Sequence, residues 1–89
     1  MAQAKIRITG VVQGVFYRAY AEEIATKLNL KGYAKNMSDG SVESVVVGEK
    51  ERIEEYAKYC EKGSPSASVQ MVEVEWMEET ETIEGFETY

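Results

Sequence analysis

The 89-residue sequence contains no histidine, one cysteine, one proline and one aspartate. Each scarcity closes off a class of chemistry. Without histidine, no imidazole can act as a general base or a metal ligand. With Cys60 alone, neither an intrachain disulfide nor a multi-thiolate zinc site can form. No apolar run exceeds a few residues, well short of the roughly 20 that a membrane-crossing helix needs, so no membrane partner is expected. No basic-then-apolar leader opens the chain, and the lone thiol suits a reducing compartment, so a cytoplasmic location is expected. Basic residues are outnumbered, 10 against 16 acidic, for a net charge of −6. Such a surface repels phosphodiester backbones, so no nucleic-acid partner is expected either. Only three arginines exist, Arg7, Arg18 and Arg52.

What is present is ordinary globular material. Hydrophobic residues make up 44% and charged residues 29% of the chain. That apolar fraction excludes disorder. A chain of this size buries roughly 60–65% of its unfolded surface, enough for one modest core. One domain over residues 1–89 is expected, and as a monomer, since no large apolar patch is evident.

Periodicity supplies the element order. Lys5 to Val12 alternates like a strand, with Ile6 and Ile8 on one face and Lys5, Arg7 and Thr9 on the other. From Ala19 to Leu30 the period is helical. Ala21, Ile24, Ala25 and Leu28 form the apolar stripe, and Glu23 and Lys27 make an i, i+4 pair outside it. Gly32 is placed to act as a left-handed cap. A short strand from Tyr33 to Met37 meets Ser38-Asp39-Gly40, whose Asp-Gly pair predicts a hairpin with positive φ at both central residues. The next strand runs from Ser41 to Gly48. A second helix, Glu49 to Lys62, carries the stripe Ile53, Tyr56, Ala57 and Cys60, and ends at Gly63-Ser64-Pro65. Val69 to Met77 alternates again, with Val72, Val74 and Trp76 opposite Glu73 and Glu75. The acidic run Glu78 to Glu84 is expected to be a solvated edge that discourages strand pairing. Phe86 to Tyr89 is a possible edge strand. The order β-α-β-β-α-β predicts an α+β, ferredoxin-like sandwich with both helices on one face of an antiparallel-rich sheet.

The most informative segment is the first βα turn, Val12-Gln13-Gly14-Val15-Phe16-Tyr17-Arg18. A helix N-terminus presents unpaired N–H groups and partial positive charge. A glycine lets the loop curl into an anion-binding nest, and an arginine adds a fixed fork for two oxygens. One Gly and one Arg form a weak signal, however. On physics alone, a plain connection with a solvated Arg18 is the simpler account. The segment fits neither the Walker loop nor the dinucleotide-binding pattern.

The wording of the segment adds more. Gly10 through Arg18 closely resembles the acylphosphatase signature G-x-V-Q-G-V-x-[FY]-R. Gly32-Tyr33-Ala34-Lys35-Asn36-Met37-Ser38-Asp39-Gly40-Ser41-Val42-Glu43 is similar to that family's G-[WY]-x-x-N-x-x-D-G-x-V-E. Gly63 to Val69 is similar to its G-x-x-x-A-x-V. The resemblance spans Ile6 to Tyr89. It implies an enzyme that hydrolyses the carboxyl–phosphate bond of acyl phosphates, releasing a carboxylate and inorganic phosphate, with no metal or cofactor. Arg18 matches the arginine that binds the phosphoryl oxygens together with the loop amides of Gln13, Gly14, Val15, Phe16, Tyr17 and Arg18. Asn36 matches the asparagine that orients the attacking water. Tyr17 stands where Phe is commoner, Met37 where some members have Thr, and Ser64 where Pro is frequent. These departures bear on fine geometry and substrate preference.

The composition suits that reaction. Phosphoryl transfer is mostly positioning and charge stabilisation, and a carboxylate leaves without a general acid. The missing histidine is then no obstacle. A second reading keeps the same fold as a non-catalytic phosphate- or carbamoyl-phosphate-binding module, like the acylphosphatase-like domain of carbamoyl-phosphate-handling maturation proteins. By residue type alone, Asn36 is a turn former, Asp39 and Gly40 are structural, Cys60 is core and Arg7 belongs to a solvated strand face. Of Tyr56 and Tyr59, one is expected in the core and one beside it.

Overall fold

The computed structural model describes residues 1–78 and 84–89. Its elements are β1 (Ala2–Val11), α1 (Tyr17–Lys27), β2 (Lys31–Asn36), β3 (Val42–Gly48), α2 (Lys50–Lys62), β4 (Ser68–Met77) and β5 (Phe86–Thr88). The strands form one sheet in the order β4-β1-β3-β2-β5. All neighbours are antiparallel except β2 and β5, which run parallel. This is the expected ferredoxin-like α+β arrangement, with a short fifth strand added beside β2.

Alternation along the strands decides which face is covered. Ala4, Ile6 and Ile8 of β1, Ala34 of β2 and Val42 and Val46 of β3 are fully buried and share one face. Both helices lay their stripes on it, through Ala21 and Ala25 of α1 and Ile53, Tyr56 and Cys60 of α2. Ile24, Leu28 and Ala57 complete those stripes from partly buried positions. Ser44, fully buried on this face, has its hydroxyl satisfied. Ser44 Oγ donates to Tyr33 O at 2.8 Å and lies 2.9 Å from the Tyr56 hydroxyl. Glu23 and Lys27 pair at 3.1 Å on the outer side of α1, and Tyr59 flanks the core while Tyr56 fills it.

Three local features differ from the sequence reading. Helix α1 stops at Lys27, and Asn29 (φ 56), not Gly32, takes the left-handed conformation after it. Gly32 lies in β2, where a Cβ would sit 1.7 Å from Val45 O, so close backbone approach is what requires glycine there. The β2–β3 turn is a three-residue loop closed by Met37 N–H to Ser41 O at 2.9 Å. Within it only Gly40 has positive φ, so Asp39 does not take up the conformation a two-residue turn would demand. Asp39 instead accepts from the Ser41 N–H and hydroxyl, which shapes the loop from its side chain. Finally, the apolar face of β4 is covered at Val72 but not at its end, where Val74 and Trp76 remain 39% and 45% exposed. Strand β4 is the sheet edge, and Lys50 Nζ lies over the Trp76 ring at 5.7 Å. Most of the acidic run between Glu78 and Glu84 lies outside the described residues.

Candidate active site

Strand β1 runs out of sheet partners at Val11, and residues 12–16 turn the chain into α1. Val12 is buried and anchors the loop's start. Gly14 (φ 72) and Phe16 (φ 62) then take left-handed conformations within three residues. Glycine does so freely, whereas for Phe16 it is strained. Phe16 caps α1, and no side chain caps the helix with a hydrogen bond. Its first turn also holds no acidic residue. Among the described residues, none of the backbone N–H groups of Gly14 to Arg18 has a protein partner. The helix therefore begins with its amides and its partial positive charge uncommitted.

The loop keeps this shape because it is fastened on both sides. On one side Gln13 Nε2 donates to Met37 O at 2.8 Å and to Ser41 O at 2.9 Å, tying the loop to the β2–β3 hairpin. On the other side the C-terminal end of α2 holds it. The Tyr17 hydroxyl donates to Cys60 O at 2.8 Å, and Ser64 Oγ donates to Val15 O at 2.9 Å. The carbonyls in the last turn of a helix lack internal partners, so Cys60 O is a natural acceptor. Burial pushes the Tyr17 phenol far above its ordinary range, with the neighbouring Cys60 adding to the shift. Tyr17 is thus a neutral hydrogen-bond donor. The Cys60 thiol is likewise pushed up by burial, to about 12, and is no nucleophile at neutral pH.

Arg18 is half-buried in the first turn of α1. Arg7 is paired with Asp39, and Arg52 lies 3.9 Å from Glu49. Among the described residues Arg18 has no ion pair or hydrogen bond. Asn36 closes β2, its backbone N–H bonded to Tyr89 O at 3.0 Å. Its side-chain Oδ1 is buried and lacks a hydrogen-bond partner among the described residues. It is also the residue just before Met37, whose carbonyl takes the Gln13 clamp.

A hollow of about 370 Å³ opens at the loop, lined by Val12, Gly14, Phe16, Arg18, Glu22 and Thr88 among others. Of the residues singled out from sequence, Gly14, Phe16, Tyr17 and Arg18 line it. Gln13 and Val15 do not, because the Gln13 side chain is bonded to the hairpin and Val15 packs on the core. Asn36 is not in the lining either; it is joined to the loop through the hairpin. Sequence reasoning missed Thr88, Glu22 and Ser64. Thr88 reaches the hollow only because β5 pairs in parallel with β2, and the spacing of the tail carries no sign of that. Among the described residues no group of three or more Cys, Asp or Glu side chains could hold a metal ion. No helix is long and apolar enough to cross a membrane.

The family model for acylphosphatase matches residues 4–88. The chain belongs to the acylphosphatase family. It is 45% identical over 82 residues to an acylphosphatase of Thermus thermophilus, covering 92% of each chain. The same fold, at a TM-score of 0.96 and 30% identity, is found in the crystal structure of acylphosphatase from Bacillus subtilis, covering 100% of this chain and 99% of that one. The HypF structure from T. kodakarensis contains a similar unit, with a TM-score of 0.87 and 31% identity, covering all of this chain but 12% of the other. The fastened loop, with its uncommitted amides and Arg18, is the candidate active site.

Proposed function

We propose that this member of the acylphosphatase family hydrolyses the carboxyl–phosphate bond of small acyl phosphates at the β1–α1 loop. The loop amides from Gln13 to Arg18 and the Arg18 guanidinium hold the phosphoryl oxygens. Asn36 holds a water in line with the departing carboxylate. The single observation that carries this reading is the buried Asn36 Oδ1, an acceptor with no partner among the described residues, on a hairpin fastened to the loop by Gln13. A buried acceptor of that kind is satisfied by an ordered water. A carboxamide both accepts from and donates to such a water, which fixes its direction of attack.

The chemistry asks little else of the protein. The P–O bond to the carboxylate breaks as the water oxygen bonds to phosphorus, and the carboxylate leaves with the electron pair. The proton released by the water passes to the substrate's own phosphoryl oxygen. Charge on the peripheral oxygens is met by donors that are already in place: the Arg18 fork is worth about 10³ in rate, while the loop amides bind the phosphoryl group in ground and transition states alike. The reaction needs no metal or imidazole in this scheme, and it releases inorganic phosphate. The hollow recognises the phosphoryl end, so the acyl group is held loosely. The buried Cys60 thiol suits action in a reducing cytoplasm.

The likeness to one-eighth of HypF supports a second reading, a module that binds phosphate without turning over acyl phosphates. Benzoyl phosphate separates the two. The hydrolytic reading expects phosphate release far above the uncatalysed rate. Binding of orthophosphate with no such release would leave only the module.

A further inference from the structure

Ser64 is 4% exposed and follows Gly63, which ends α2. Its backbone is fixed by a turn in which its carbonyl accepts from Ala67 N–H at 3.0 Å. Its hydroxyl reaches across 49 positions of sequence to Val15 O, at 2.9 Å. In a trans peptide the carbonyl and the following N–H point to opposite sides, and no peptide bond here is cis. Val15 O is committed to Ser64, so the Phe16 N–H must face away from Ser64. Gly14 and Phe16, which flank Val15, both line the hollow.

Phe16 makes that arrangement vulnerable. Its φ of 62 is unfavourable for a residue with a Cβ. A flip of the Val15–Phe16 peptide would bring φ of Phe16 back to the negative side. The same flip would turn the Val15 carbonyl toward the side where the Phe16 N–H had been. An acceptor oxygen there repels an anion, whereas the N–H attracts one. The bond from Ser64 opposes the flip. We propose that Ser64 is a positioning residue, whose hydroxyl holds the Val15–Phe16 peptide so that the Phe16 N–H serves as a phosphoryl donor. The proposal rests on the loop being the phosphate cradle, and it adds a device from a distant segment that sets the cradle's polarity.

The test compares wild type with Ser64→Ala and with Ser64→Thr, which keeps the hydroxyl. Benzoyl phosphate kinetics give KM and kcat, and orthophosphate gives an inhibition constant. The amide resonances of residues 14–18 are followed during an orthophosphate titration. Loss of one oriented donor from a site that binds ground and transition states alike raises KM with kcat nearly unchanged. Ser64→Ala is expected to raise KM and the phosphate inhibition constant together by about five- to tenfold, with kcat within about twofold. The Phe16 amide should lose its response to phosphate while Gly14 keeps its own, and Ser64→Thr should restore both. If Ser64→Ala does not fold, the near-isosteric and poorly donating Ser64→Cys is read in its place, with the same expectation. Unchanged KM and an unchanged Phe16 response overturn the proposal while leaving the cradle intact. So does a lowered melting temperature with no change in KM. If wild-type amides 14–18 ignore orthophosphate, the cradle itself is wrong, and the role of Ser64 falls with it.

Discussion

The open face of the sheet and the β1–α1 loop treat their cations in opposite ways. On the open face a cleft of about 530 Å³ contains Lys5 and Arg7, but Lys5 Nζ lies 3.4 Å from Glu43 and Arg7 is paired with Asp39. Glu73 and Glu75 line the same cleft. At the β1–α1 loop the hollow is smaller and Glu22 also lines it, yet Arg18 there is unpaired among the described residues and the amides of Gly14 to Arg18 are uncommitted. The cations of the larger depression are paired, whereas Arg18 at the smaller one has no partner among the described residues. Under the proposed function, volume is a poor guide to the site in this molecule. Commitment of the donors is a better one.

Replacing one arginine on each side is the strongest way to break that contrast. Arg18→Ala is expected to lower benzoyl phosphate hydrolysis by about 10³ or more, since it removes a charged fork from the transition state. Arg7→Ala should change it by less than about twofold. Equal losses would erase the distinction between the two regions. Next in size is Asn36→Ala, expected to cut kcat by about 10² while the orthophosphate inhibition constant stays near wild type. A parallel rise in KM and the inhibition constant would make Asn36 a phosphate ligand rather than a holder of water.

How far the sequence could have led is clear from the residues that fasten the loop. The helical stripes, the faces of β1 and the Glu23–Lys27 pair follow from periods of 3.6 and 2, which local sequence displays. Arg18 and Asn36 were legible only through the wording of two motifs, because one arginine near one glycine is common in connections that do nothing. Of Ser64 only its departure from the frequent Pro was legible, and Thr88 was not legible at all. Each acts across the fold, Ser64 through a carbonyl 49 positions away and Thr88 through parallel pairing of β5 with β2. The cap at Asn29 was missed for a related reason. Gly32 looked free to serve, but the packing of β2 against Val45 already required a residue without a side chain there. Tyr17, a departure from the commoner Phe, is explained by its bond to Cys60 O.

That bond gives a smaller test. Tyr17→Phe leaves Cys60 O without its partner in a buried setting and should cost about 1–2 kcal/mol in urea unfolding. No change in stability would mean that the α2 end does not fasten the loop. Titration sharpens the comparison further. Burial raises the Cys60 thiol from its ordinary 9.0 to about 12 and lifts the Tyr17 and Tyr56 phenols. A raised acid is fully stabilising below its unfolded value, and the gain is lost as the unfolded chain ionises. Stability should therefore fall from about pH 9 toward pH 12, read by urea unfolding at stepped pH. On the open face the sign is opposite. Hydrogen bonds from Ser41 and the charge of Arg7 hold the Asp39 carboxyl at about 2, below its ordinary 3.8. Its contribution is complete above 3.8 and is lost as pH falls toward about 2, an effect that Asp39→Asn should remove.

The most direct measurement is a crystal structure of the wild-type protein soaked in orthophosphate. The account predicts the anion against the amides of Gly14 to Arg18 and the Arg18 guanidinium, with a water on Asn36 Oδ1. Phosphate lodged beside Lys5 and Arg7, with the loop hollow holding no anion, would contradict it.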